Sequence, residues 1–198
     1  MMSAVCGGLQ HGFNGVSLTR REVIGFWDTE DAYEAFIGGD AFARWQARGT
    51  VYSVLMRPEM ARGSWIDGHQ LDQVAATGRV DGPVAVLSYV RIPVRHLFRW
   101  YAHFLPKVGA QMASADGLVA GTGGGDLTAR KTFTMTFWTE NKAMMKAAYS
   151  REGAHAGAAS WGKPLLPTAS FARLRVISHT GSWDGQDPLA GWAASMSS

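Results

Sequence analysis

The sequence predicts an α+β fold made of two tandem ferredoxin-like βαββαβ repeats, the first lacking its N-terminal strand and helix. Three observations predict it. Landmarks recur in one order: Gly8-Leu9, Phe26-Trp27-Asp28-Thr29-Glu30 and Gly63-Ser64-Trp65 return as Gly117-Leu118, Phe137-Trp138-Thr139-Glu140 and Gly181-Ser182-Trp183, with an Ala-rich, aromatic helical pattern after each Phe-Trp. The second copy reads locally as β-α-β-β-α-β. The first copy starts late, because 33 residues from Val84 precede Gly117 and only seven precede Gly8.

The elements follow in order. In the first copy a short strand lies near Leu9, a strand covers Leu18 to Trp27, helices cover Thr29 to Phe36 and Asp40 to Arg48, and a strand covers Val51 to Met56. In the second, Val84 to Ile92 is β-branched and apolar, which marks a strand. Pro93 suits a first helical position. Val94, Leu97, Phe98, Tyr101, Phe104 and Leu105 make one apolar helix face, and Pro106 is expected to stop the helix. Gly117 to Ala120 is a short strand, and Gly121 to Asp126 reads as a hairpin loop. Ala129 to Trp138 alternates, with Phe133, Met135 and Phe137 on one side and Thr132, Thr134 and Thr136 on the other. A helix over Lys142 to Tyr149 and a strand over Phe171 to Ile177 complete the unit.

These elements divide the chain into an incomplete first repeat (1–67), a polar linker (68–82), a complete second repeat (83–184) and a flexible tail (185–198) that Trp192 could anchor. A repeat without its first strand and helix leaves a sheet edge unpaired. A homodimer, or the tail filling the gap, is expected.

The chain has 198 residues, 46% of them apolar and 18% charged, with eight Trp and nine Phe. That many large aromatics implies an extensive apolar interior or an apolar pocket. The net charge of +3 is too small and too scattered for nucleic-acid binding. Its densest cluster, Arg91, Arg95, His96, Arg99 and His103, reads as a solvated helix face. With Cys6 as the single cysteine, no intramolecular disulfide can form, which suits a reducing cytosol. No transmembrane segment or secretory signal is evident, and a cytoplasmic protein is expected.

Most histidines read as exposed or structural. His96 and His103 are seven residues apart on one helix face with no matching carboxylate, so a metal pair there is disfavoured. Gly121 to Asp126 lacks the ending of a phosphate loop, and no nucleophile elbow is present. Asp28, Glu30 and Asp31 are explained by capping. His155 stands apart, because small residues flank it on both sides and leave room for a flat ligand. The first copy has Trp45 at nearly the matching place, 18 residues after its Phe-Trp where His155 follows by 17.

Several segments carry a resemblance. Pro83-Val84-Ala85-Val86-Leu87, Arg91-Ile92-Pro93 leading into Phe98-Arg99-Trp100, the stretch TFTMTFWTENKAMMKAAYSREGAH, Phe171 to Val176, and, in the first copy, Ala41 to Trp45 with Arg62 to Trp65 resemble spheroidene monooxygenase and its relatives, carotenoid-modifying proteins of phototrophic bacteria. The resemblance covers about residues 8 to 185. It implies a dimeric α/β-barrel fold that binds haem b and oxidises a small apolar organic substrate with O2 or peroxide, using an external electron donor. It places His155 at the family's Gly-x-His position, as axial iron ligand. Phe133, Met135, Phe137 and Trp161 could wall the macrocycle, and Arg130, Lys131 or Arg151 could pair with its propionates. A cofactor-free monooxygenase or isomerase, and a non-catalytic haem or small-ligand-binding protein, are the alternatives on the same fold. The chain departs from the family by lacking the N-terminal strand and helix of the first copy, which leaves carotenoid-sized substrates open.

Overall fold

The computed structural model describes residues 2–6, 22–63, 65, 71, 74, 80–126, 130–149, 169–183 and 185–192. They form one seven-stranded antiparallel sheet: β1 (Met2–Cys6), β2 (Glu22–Phe26), β3 (Tyr52–Arg62), β4 (Val84–Arg91), β5 (Leu118–Asp126), β6 (Lys131–Trp138) and β7 (Ala169–Gly181), in the order β2-β1-β3-β7-β4-β6-β5. Helices α1 (Glu30–Ile37) and α2 (Asp40–Gln46) join β2 to β3. The β4–β5 connection is helical throughout: a 3-10 turn (Val94–His96), α3 (Leu97–Arg99), a π turn (Trp100–Phe104) and α4 (Leu105–Ala113). Helix α5 (Asn141–Tyr149) follows β6.

The local chemistry explains these elements. The Thr29 hydroxyl accepts the Ala32 N–H and caps α1, whose first turn carries Glu30 and Asp31 where the helix dipole favours negative charge. Strand β6 alternates as its sequence requires. Met135 and Phe137 point into one core, while the Thr136 hydroxyl on the other face accepts a hydrogen bond from Trp138 Nε1 at 2.9 Å.

The β3–β7 ladder joins the halves, from Tyr52 opposite Gly181 to Arg62 opposite Phe171. Its two ends mirror each other. Gly63, just past β3, has φ +93 and lies against the Ala169 carbonyl at the start of β7. Gly181, closing β7, has φ +95 and lies against the Val51 carbonyl at the start of β3. Both conformations favour glycine, and a Cβ at either would collide with backbone. The repeated Gly-Ser-Trp landmark therefore marks one structural event made twice. Trp65 and Trp183 behind it are both buried in the same core.

Several expectations are corrected. The first half does not lack a strand in its opening position: β1 lies between β2 and β3, as β4 lies between β6 and β7. Gly121 to Asp126 is strand, not loop, because glycines do not prevent pairing with β6. Pro106 does not stop its helix. It stands in the first turn of α4, and the π turn before it opens the ladder where proline has no N–H to give. The tail is not loose over 185–192: Leu189 (0% exposed) and Trp192 (5%) are in the core. Asp187 holds that turn, accepting the Tyr52 hydroxyl at 2.7 Å and the Leu189 N–H at 3.0 Å. Within the expected linker, Leu71 and Val80 are buried.

Replacing Gly181 with Ala should lower unfolding stability by about 2 kcal/mol or more. Gly191→Ala, where a Cβ meets nothing within 4 Å, should change it by less than about 0.5 kcal/mol. Urea denaturation midpoints of the two variants check this.

Candidate functional site

The outermost strands β2 and β5 would lie about 29 Å apart in a flat sheet, at about 4.8 Å per strand. Yet Thr122 of β5 hydrogen-bonds to Glu22 of β2, and a Cβ on Gly124 would come within 2.9 Å of Glu22 Oε2. The sheet therefore curls until its edges meet. The register places Glu22, Ile24 and Phe26 on the concave face with Tyr52, Val54 and Met56, and Thr122 on the same face through Met135 and Leu87. This interior is filled by the chain itself. One core runs from Ile24 and Phe26 through Val54, Leu174, Leu87, Met135 and Phe137 to Ala120, with the Trp192 ring edge-on to Phe137 at 5.8 Å.

Glu22 is a carboxyl in that apolar surrounding. Its Oε2 is buried with no hydrogen-bond partner among the described residues. Burial raises its pKa, and the hydrogen bond from Thr122 lowers it by less.

The residues expected to hold a cofactor are distributed as follows. Phe133, Met135 and Phe137 come together on the concave face, and Met135 and Phe137 are fully buried in the filled core. Arg130 occupies the turn before β6 with φ +57, its carbonyl accepting the Ile92 N–H at 2.8 Å. Lys131 begins β6, opposite Arg91. His155, Arg151 and Trp161 lie outside the described residues, as do His11 and His69. His96 accepts from Arg95 Nε at 3.1 Å, and His179 lies 3.3 Å from Asp187.

The convex face of the second half is built differently. At one end of β4, Val84 and Val86 lie in a cluster under α4 and α5, with Trp138, Met112 and Met144. At the other end, Val90 and Ile92 pack under the π turn with Trp100, Tyr101 and Phe104. Between the clusters lies Ser88, paired with Thr134 on one side and Phe171 on the other. Ser88 and Thr134 are half-buried, Thr132 and Thr136 on the same face are buried, and Phe171 is 38% exposed. Beside this row, Trp100 Nε1 and Tyr101 Oη are buried with no partner among the described residues, and burial raises the Tyr101 pKa. Two orphan donors at a π turn are the polar anomaly of this face among the described residues, and they suit a ligand that carries acceptors. The orphaned donors left no sequence signal.

Comparison with known proteins adds a family likeness. No family model matches the chain. It is 27% identical over 174 residues to the spheroidene monooxygenase of Rhodobacter capsulatus, covering 85% of this chain and 71% of that protein. It is 23% identical over 175 residues to the spheroidene monooxygenase of Cereibacter sphaeroides, covering 84% and 52%. The chain is a distant relative of the spheroidene monooxygenases. It spans about half the length of the second of them. In fold it resembles an aldoxime dehydratase crystallised with butyraldoxime, with a TM-score of 0.55 at 9% identity over 96% of this chain and 74% of that one. The likeness supports the mixed α+β architecture with its antiparallel sheet.

The raised Glu22 pKa means that the folded protein keeps a proton there after the unfolded chain has lost it. The stability this contributes is whole below the ordinary glutamate pKa and is lost as pH rises through the folded value. Thermal melts across that window should show the wild type losing Tm relative to Glu22→Gln, which keeps an acceptor for Thr122 and cannot ionise.

Proposed function

We propose that the chain is a haem-dependent monooxygenase that oxidises a small apolar organic substrate. The observation that carries this reading is the similarity to two spheroidene monooxygenases along some 85% of the chain. The orphaned Trp100 and Tyr101 donors of the second half support it, read as part of a tandem ferredoxin-like, dimeric α/β-barrel protein. His155 would be the residue that holds the haem iron. The described residues fit a flat, carboxylate-bearing macrocycle on the convex face rather than inside, where Phe133, Met135 and Phe137 are already packed by protein. There Phe171 offers an apolar contact, Ser88 and Thr134 offer hydroxyls, and Trp100 Nε1 and Tyr101 Oη offer donors. Arg130, in the turn before β6, is the described candidate for the propionates on that face, with Arg151 four residues before His155 in sequence; Lys131 falls by strand alternation on the concave side with Phe133.

When bound, haem supplies O2 activation; one oxygen atom enters the substrate and the other leaves as water, with electrons from an external donor. The protein's part is to hold the group against the sheet, to keep water from the strip between the two clusters, and to leave an apolar wall for the substrate. The indole and phenol donors fix the ligand's acceptors, which would otherwise be desolvated without partners.

Titration with haemin, followed by visible absorption, tests the reading. Wild type should give a Soret band that His155→Ala loses, with turnover requiring O2 and reductant, or peroxide. A protein that takes up no haemin rejects haem dependence. One that binds haemin but turns nothing over is a binding protein.

A further inference from the structure

The helical connection from Val94 to Lys107 carries a pattern that neither its packing nor the proposed chemistry uses. Apolar residues recur every four positions, at Val94, Phe98, Ala102 and Pro106. A basic residue follows each one: Arg95, Arg99, His103 and Lys107. All eight are exposed, and Phe98 and Val94 are 78% and 64% exposed, unusual for side chains of their kind. The opposite side of the connection is buried through Trp100, with Leu97, Tyr101 and Phe104 packed partly beneath.

In a regular α-helix, a four-residue repeat drifts around the axis because a turn takes about 3.6 residues. The π turn over Trp100–Phe104 widens the winding and keeps the stripes in line. Leu97, Phe98, Tyr101 and Ala102 line an open apolar depression of about 470 Å³, and the His103 ring meets Phe98 edge-on at 6.0 Å. No Asp or Glu occurs between Asp81 and Asp116, so the connection itself contributes one sign of charge along its length.

We propose that this face docks on an anionic lipid bilayer surface, with Val94 and Phe98 entering the interfacial region and Arg95, Arg99 and Lys107 meeting lipid phosphates. The charge pattern selects that partner. Two parallel stripes, apolar beside cationic, on a long outward-facing helical run suit the plane of a membrane interface. No helix among the described residues is long and apolar enough to cross a membrane, so contact on this face would be peripheral. The docking goes beyond the enzymatic reading and stands without it.

Co-sedimentation of the full chain with vesicles of phosphatidylcholine alone, or mixed with phosphatidylglycerol, tests the proposal. The protein should pellet with the mixed vesicles only, less at high salt. Phe98→Ser should weaken binding about tenfold, and Arg95→Gln and Arg99→Gln about fivefold each. Val94→Ser provides a second exposed variant, and thermal melts confirm that the variants fold. Failure to pellet with either vesicle, equal pelleting with both, or binding unchanged in the variants overturns the proposal. A dimer in sedimentation velocity that Phe98→Ser dissociates, without vesicle binding, would assign the face to a second copy and overturns it too.

Discussion

The antiparallel pairing of β3 with β7 is the constraint on which the rest depends. It is the joint between the halves; both strands are long, and β3 is mostly buried. Each half adds its remaining strands outward from that joint. Right-handed strand twist accumulates across them, and the concave apolar face deepens until β2 and β5 meet through Glu22 and Thr122. A buried carboxyl is costly in such a place, and one accepted hydroxyl offsets only part of the cost.

The curl also decides where a ligand can go. Eight strands close a barrel whose interior side chains can just fill, and a ring whose edges meet after seven is narrower. Here the space is taken by Met135, Phe137, Leu174 and the returning Trp192. On the outside, the helices of the second half cover β4 at both ends, with Ser88, Thr134 and Phe171 between the two clusters among the described residues. The interior thus holds the fold, and a ligand would have to sit elsewhere.

Much of this was legible in the sequence because it is local or periodic. The doubled landmarks announced the two halves, and alternation in β6 gave its two faces correctly. What alternation cannot give is what lies opposite a face: Phe133, Met135 and Phe137 have the character of a pocket wall, and only the closure of the sheet makes them core. Glu22 was unreadable for the same reason, since its burial depends on Thr122, a hundred residues away. Gly121 to Asp126 looked like a loop because glycine content weakens any strand signal, and pairing with β6 overrode it. The tail looked mobile from its small residues, yet Leu189 and Trp192 alone bury enough apolar surface to hold it. His155, on which the proposed cofactor depends, is read from the sequence alone, since it lies outside the described residues.

The reciprocal glycines have an evolutionary consequence. Gly63 is clasped by the first residues of β7, and Gly181 by the residue before β3, so each copy finishes the other. Neither copy then needs to be viable by itself. Selection on either half is then felt by the other, because the glycine that ends one long strand is held by the backbone that begins its partner.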